Sequence, residues 1–358
     1  MIKENGGSFV DFQDKLHNPI WKNLSEEEKW LLFEKVKKQF ISPELEMSNL
    51  KLCLFSLGGV KNRTFEFDLL DETFVFIPGQ KDVILGWESG NNTNTFLLTQ
   101  TLGENPPELL NKSDKIDQYI NQMTSPLRKA TIAPMIVSKY AFPASCAYIG
   151  WLDSLTGEFH GEMERFVPIE KEVQKELFPT LTLEESLNFS QPERVLREGV
   201  FYLEYLTDEG VYRVFIHQPM TLAENRKRLN KWQLVLLDED QWEYANGAGT
   251  RRLFRWGNCL VSANDYSEKN QEIYELAKGR NMFGLVFDTD KQRYELTKDE
   301  NVLKLGKIKE SETKLQQTLP LATYYRDAKV IEKEEILSPL IYECRKAIIL
   351  EKRKDDSL

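Results

Sequence analysis

The stretch Leu236-Leu237-Asp238-Glu239-Asp240-Gln241-Trp242-Glu243-Tyr244-Ala245-Asn246-Gly247 constrains this 358-residue chain more than any other. Asp238, with Gln241 three residues on, is a capping-box pattern, in which each side chain satisfies a backbone N–H that a first helical turn leaves open. It predicts a short helix. Trp242 and Ala245, at i and i+3, share one face of that helix. Asn246-Gly247 supplies residues that tolerate positive φ and predicts the stop. Leu253-Phe254-Arg255-Trp256-Gly257-Asn258 then reads as an aromatic strand end and a tight turn. Aromatic residues make up 11% of the chain, seven of them Trp, so the core is expected to be built from large rings with specific packing.

The remainder alternates in texture. Ser25-Glu26-Glu27-Glu28 is a second capping box, followed by Trp30, Leu31, Phe33, Val36 and Phe40 near helical spacing, with Pro43 as the terminator. From residue 49 the pattern becomes strand-like. Phe65, Phe67 and Leu69 alternate with polar neighbours, Phe74–Ile77 is closed by Pro78-Gly79, and Val83–Trp87 reads as the returning strand. Residues 105–126 read as a long surface insertion with some helix, about 88–126 and 262–280 as the polar insertions that would make contacts, and 164–198 as helical and charged. Val200–Leu203 and Tyr212–Ile216 flank Asp208-Glu209-Gly210 as a hairpin, and Leu222–Trp232 as a helix. Two parts are expected: an N-terminal helical segment, 1–48, and one domain, 49–358.

Several of these pieces, in this order, resemble the formylglycine-generating enzyme family. Trp242-Glu243-Tyr244-Ala245 is similar to that family's W-E-Y-A, Trp256-Gly257-Asn258 to its W-G-N, and Asn281, Phe283, Gly284 and Leu285 to its N-x-F-G-L. Glu295, Thr297 and Asp299 fit the end of the third motif. Phe74–Gly79 looks like the opening hydrophobic-I-P-G-G strand, and Cys344-Arg345 sits where the family closes on G-F-R. The resemblance spans roughly residues 70–350. It implies an α+β fold, the formylglycine-generating-enzyme variant of the C-type lectin fold, with much irregular structure.

The departures bear on chemistry. The family's enzymes hold copper between two cysteine thiolates, the soft ligands that select Cu(I), a few residues apart near the C-terminus. Between Lys304 and Leu358 this chain has one cysteine, Cys344, and reads Leu319-Pro320-Leu321-Ala322-Thr323-Tyr324-Tyr325-Arg326-Asp327 instead of R-G-G-S-W. A related branch, the sulfoxide synthases, uses iron on three histidines in an H-x-x-x-H-x-E pattern. The three histidines here, His17, His160 and His217, are scattered. The family's calcium loop reads Lys291-Gln292-Arg293-Tyr294-Glu295-Leu296, with cations where oxygen donors are wanted, leaving Glu295, Asp288 and Asp290 as calcium candidates. No catalytic residue and no cofactor is therefore expected, calcium remaining the one candidate ion.

What remains is a non-catalytic binding or scaffold protein that recognises a protein or small ligand through its loops. The alternative is an enzyme of altered chemistry in the family's central cleft. The candidate ligand residues are Tyr324, Tyr325, Arg326 and Asp327, where the final motif would lie, with Glu243 and Trp256 nearby by analogy. The competing role for Arg326 and Glu243 is a structural ion pair. A formal net charge of −10 argues against a nucleic-acid partner. No run approaches a membrane span, and four widely spaced cysteines suit a reducing cytoplasm.

Overall fold

The computed structural model describes residues 11–57, 60–69, 72–90, 113–182, 187–188, 190–206, 209–258, 276–287, 293–306 and 314–351. The fold is mixed α+β, with several antiparallel sheets and short helices. The chain falls into two compact units. One comprises 1–141, 226–330 and 344–358, and the other 142–225 and 331–343.

The first unit is organised by a six-stranded antiparallel sheet. Its order is Val235–Leu236, Lys346–Ile349, Met135–Ser138, Glu72–Ile77, Val60–Leu69, Met47–Leu57. One face takes the Glu26–Phe40 helix, which the Ser25/Glu28 capping box opens as expected. Phe33 stacks on Phe65 at 4.4 Å and meets Phe67 at 5.2 Å. The buried side of this helix is Lys29, Leu32, Phe33 and Val36, not the expected set, because Trp30 and Leu31 turn outward.

A second sheet places Gly79–Leu85 between His17–Asn18, in parallel, and Arg128–Ile132, antiparallel. Here the sequence reading is corrected: the strand after Pro78-Gly79 does not return beside Glu72–Ile77 but changes sheets. Gly79 makes the change workable, since a Cβ there would lie 2.6 Å from the His17 ring and 2.7 Å from the Ile132 carbonyl. The Tyr294–Leu296/Leu303–Leu305 hairpin completes the frame.

The second unit is a five-stranded antiparallel sheet, ordered Phe159–Gly161, Cys146–Asp153, Val211–His217, Phe201–Leu206, Arg194–Arg197. The expected hairpin is present. The charged stretch 164–198 is helical only in part: helices span Met163–Phe166 and Glu170–Leu177, whereas Arg194–Arg197 is an edge strand. Phe166, Ile169, Val173 and Leu177 pack on Phe201, Leu203, Tyr212 and Val214, so the helices cover one sheet face.

Candidate functional site

The Glu239–Gly247 helix organises the site. Its N-cap Asp238 accepts the Gln241 N–H at 2.8 Å, and Gln241 accepts the Asp238 N–H at 3.0 Å, the capping box anticipated from the sequence. Burial pushes the Asp238 carboxyl up despite the bond from the Gln241 amide. The helix ends at Gly247 as expected, but the positive φ falls just beyond it: the C-cap Ala248 takes the left-handed conformation at φ 47°, followed by Gly249 at φ 74°.

Spacing of four puts Glu239 and Glu243 on one helix face, where a buried lysine meets both. Lys304 Nζ lies 2.8 Å from Glu239 Oε1, 2.7 Å from Glu243 Oε1 and 3.1 Å from the Tyr325 carbonyl, so all three of its N–H donors are satisfied. The Arg128 guanidinium holds the other Glu243 oxygen at 3.0 Å, Asp240 at 2.6 Å and Ser125 Oγ at 3.0 Å. Arg326 forks onto Glu239, its Nε 2.7 Å from Oε1. A buried charge costs several kcal/mol unless it is paired and hydrogen-bonded. Here Glu239, Asp240 and Glu243 face Lys304, Arg128 and Arg326.

The electrostatics follow from the pairing. Burial alone would push the Glu239 carboxyl up, but the Arg326 bond and the nearby Lys304 ammonium outweigh it and hold it down at about 2. Arg326 is raised by its bond to Glu239 against the pull of burial. For Arg128, burial works downward and the Glu243 and Asp240 carboxylates more than reverse it.

A cavity of about 240 Å³ adjoins this network, lined by Glu243, Tyr244, Thr250, Arg251, Tyr324 and strand residues Gln80–Leu85 apart from Lys81. Tyr324 forms one wall. Its hydroxyl donates to the Thr250 carbonyl at 3.3 Å, its ring stacks on Trp87 at 6.2 Å, and the Arg251 guanidinium lies 5.9 Å above it. Burial pushes its phenol up to about 12. A larger and shallower depression of about 610 Å³, lined by Glu88, Asp117, Asn121 and Thr124 among others, contains none of the six candidates. The smaller cavity is the candidate site because Glu243 joins it to the charged network.

The six candidates therefore divide. Glu243 and Tyr324 line the cavity. Tyr325 supplies its carbonyl to Lys304 and its hydroxyl to Asp327 at 3.0 Å, and burial together with Asp327 pushes its phenol well up. Arg326 is an ion-pair partner, but of Glu239, which corrects the expected pairing with Glu243. Asp327 also accepts the Lys329 N–H at 2.7 Å, which shapes the following turn. Trp256 is a core ring stacked on Phe254 at 4.9 Å and does not line the cavity. Lys304 and Arg128 were missed. The available signal was a lysine inside the apolar run Val302-Leu303-Lys304-Leu305, a position that demands a buried anion.

The remaining motif residues converge on the same core. Asn281 donates to the Ala245 and Asn246 carbonyls at 2.7 and 3.1 Å and accepts from the Phe283 and Leu285 amides, tying its loop to the helix end. Phe254 and Gly257 close the expected tight turn by exchanging backbone bonds at 2.9 and 3.1 Å. Arg345 forks onto Glu295 at 2.9 and 3.2 Å and donates to the Ser138, Lys139 and Val286 carbonyls. Both Glu295 oxygens thus face a guanidinium, a poor setting for a calcium donor. Asp288 and Asp290 lie outside the described residues. Among the described residues no three His, Cys, Asp or Glu side chains gather as a metal site.

Residues 147–216 match the family model of a profilin-like domain of unknown function (DUF7278). The profilin-like segment is the helix-covered sheet of the second unit, and it contributes none of the six candidates. No curated protein and no solved structure matches the chain. In the profilin-like sheet, His217 accepts the Gly199 N–H at 2.9 Å and His160 stacks on Trp151 at 4.1 Å, so these two histidines have local packing roles. Among the described residues no helix is long and apolar enough to cross a membrane.

Proposed function

We propose that the chain is a non-catalytic binding protein built on a formylglycine-generating-enzyme-like variant of the C-type lectin fold, with the profilin-like segment inserted into it. Support for the frame comes from the packing together of Trp242–Ala245, Phe254–Gly257, Asn281–Leu285 and the Arg345–Glu295 pair, residues that the sequence brings only into order, not into contact. The single observation that carries the non-catalytic reading is the full pairing of Glu243, whose two oxygens are held by Lys304 and Arg128. Glu239, held near 2, stays ionised and is no proton donor near neutrality.

The cavity beside Tyr324 is the proposed seat of a small ligand, or of one side chain of a protein partner. Its aromatic wall and the Arg251 guanidinium suit a flat ring or a short anionic group. The widely spaced thiols suit a reducing cytoplasm. An enzyme of altered chemistry is the second reading, and the specific observation favouring it is that Glu243 and Tyr324 share this cavity.

Oxygen uptake separates the readings. The purified protein, given Cu(I) and a cysteine-containing peptide, should consume oxygen no faster than copper and peptide alone. Rapid, saturable uptake with thiol oxidation would overturn the proposal.

A further inference from the structure

Lys139 directly follows the Met135–Ser138 strand and is only 6% exposed, yet its ammonium has no hydrogen-bond acceptor among the described residues. The one ion-pair partner it has there is Glu66, whose Oε2 lies 3.9 Å away, beyond hydrogen-bonding reach. All three N–H donors are thus unspent. The Tyr140 ring, 5.0 Å away, offers a cation–π contact, a weaker substitute for a bonded anion. Glu66 cannot turn to serve Lys139 better, because both its oxygens are taken. Lys51 Nζ lies 2.8 Å from Oε1 and Arg280 Nη1 2.9 Å from Oε2.

The backbone fixes these groups in place. Phe65 and Phe67 meet the Glu26–Phe40 helix, so alternation puts Glu66 on the opposite sheet face, and Lys51 is its partner across the ladder. Lys139 donates its N–H to the Thr73 carbonyl at 2.8 Å, and its own carbonyl accepts from the Val286 N–H and Arg345 Nη1, both at 2.9 Å. Arg280 precedes Asn281, which is tied to the Glu239–Gly247 helix end. Three cations therefore gather on one carboxylate, with two positive charges in excess. Neighbouring groups do not cancel them. Asp68 accepts from Asn49 Nδ2 at 2.7 Å and forms no ion pair among the described residues. Burial pushes the Cys53 thiol up, so it stays neutral near pH 7. The Lys51 and Arg280 side chains are 59% and 43% exposed, which leaves the cluster open to solvent on its outer side.

We propose that Lys51, Lys139 and Arg280 form a binding site for a phosphate dianion, either free or as the terminal group of a small phosphomonoester. The anion accepts from the Lys139 ammonium and from the Arg280 nitrogens that Glu66 does not use. A nearly buried ammonium without an acceptor is costly, and an oxyanion removes that cost. Two negative charges match the excess, whereas a carboxylate matches half of it. Glu66 then serves as the clamp that holds Lys51 and Arg280 beside Lys139. This site shares no residue with the cavity beside Tyr324 and does not depend on a ligand there.

Isothermal titration calorimetry of the full chain in a phosphate-free, low-salt buffer tests it, with inorganic phosphate, glycerol phosphate and acetate as probes. Saturable phosphate binding is expected with Kd of about 1 mM or tighter, and acetate should bind about tenfold more weakly or not at all. Glycerol phosphate binding as tightly as phosphate would assign a phosphomonoester, and its exclusion would assign the free ion; either result supports the site. Lys139→Met should raise Kd about tenfold or more, and so should Arg280→Gln at its more exposed position, which guards against a Lys139 variant that fails to fold. Lys37→Gln, a matched loss of charge on the exposed side of the Glu26–Phe40 helix, should leave Kd within about twofold. Absence of saturable binding up to about 10 mM phosphate would overturn the proposal. So would binding that both Lys139→Met and Arg280→Gln leave intact, as expected of an anion seated at Arg251, or binding weakened equally by Lys37→Gln.

Discussion

Lys304 Nζ lies 2.7 Å from Glu243 Oε1, and both side chains are sealed from solvent. Neither charge could sit there alone. Lys304→Met should therefore cost about 3 kcal/mol, the low end of the range for breaking a buried pair, because Glu243 keeps Arg128 and Glu239 keeps Arg326. Glu243→Gln combined with Lys304→Met should cost clearly less than the two single changes added, because the second removes the charge that the first strands. Urea unfolding of the four proteins measures this, and strict additivity would contradict it.

Arg345 is a second test of buried pairing. Its guanidinium serves Glu295 bidentately and three backbone carbonyls, a fork that an ammonium cannot reproduce. Arg345→Lys should destabilise the protein by about 3 kcal/mol despite keeping the charge. Thermal unfolding would reveal a wild-type-like midpoint if the fork were unimportant.

Acid sensitivity follows from Glu239. Its folded value of about 2 lies below its ordinary 4.5, so between those values the unfolded chain binds the proton and the folded one does not. The pair's contribution is complete above about pH 4.5 and is lost as pH falls toward about 2. Allowing for the exposure of Arg326, it amounts to about 2 kcal/mol. Stability measured across this window should fall with acidity, and Glu239→Gln should be weaker at neutral pH and flatter below 4.5. An unchanged slope in the variant would contradict the assignment.

Gly79 is where the chain changes sheets. Gly79→Ala should cost about 2 kcal/mol, since the methyl meets the His17 ring and the Ile132 carbonyl and the latter cannot move without breaking the sheet. A neutral effect would mean that the N-terminal strand detaches readily, which hydrogen exchange at Asn18 would show.

Legibility in the sequence tracked the range of the interactions. Both capping boxes were readable because their partners sit three residues apart. The turn at Phe254–Gly257 was readable for the same reason, and the hairpin at Phe201–His217 because a short Gly-containing loop joins strands adjacent in sequence. The switch of Gly79–Leu85 to another sheet was not, because Pro78-Gly79 signals a turn whichever strand follows. The outward turn of Trp30 and Leu31 depended on which side of the helix met Phe65. Within the candidate site, Glu243 was reached through its motif. Its partners Lys304 and Arg128 lie far away in sequence, and nothing local names one cation rather than another. The second unit, 142–225 with 331–343, is joined by contacts between stretches more than 100 residues apart, which no local pattern announces.

The proposed frame, like that of the formylglycine-generating enzymes, lacks the paired thiolates that would hold copper. X-ray absorption on the copper-treated, desalted protein addresses it most directly. Substoichiometric copper with no shell of two sulfur neighbours is expected. One copper per chain, held by two sulfurs and lost when Cys344 is replaced by Ser, would contradict it.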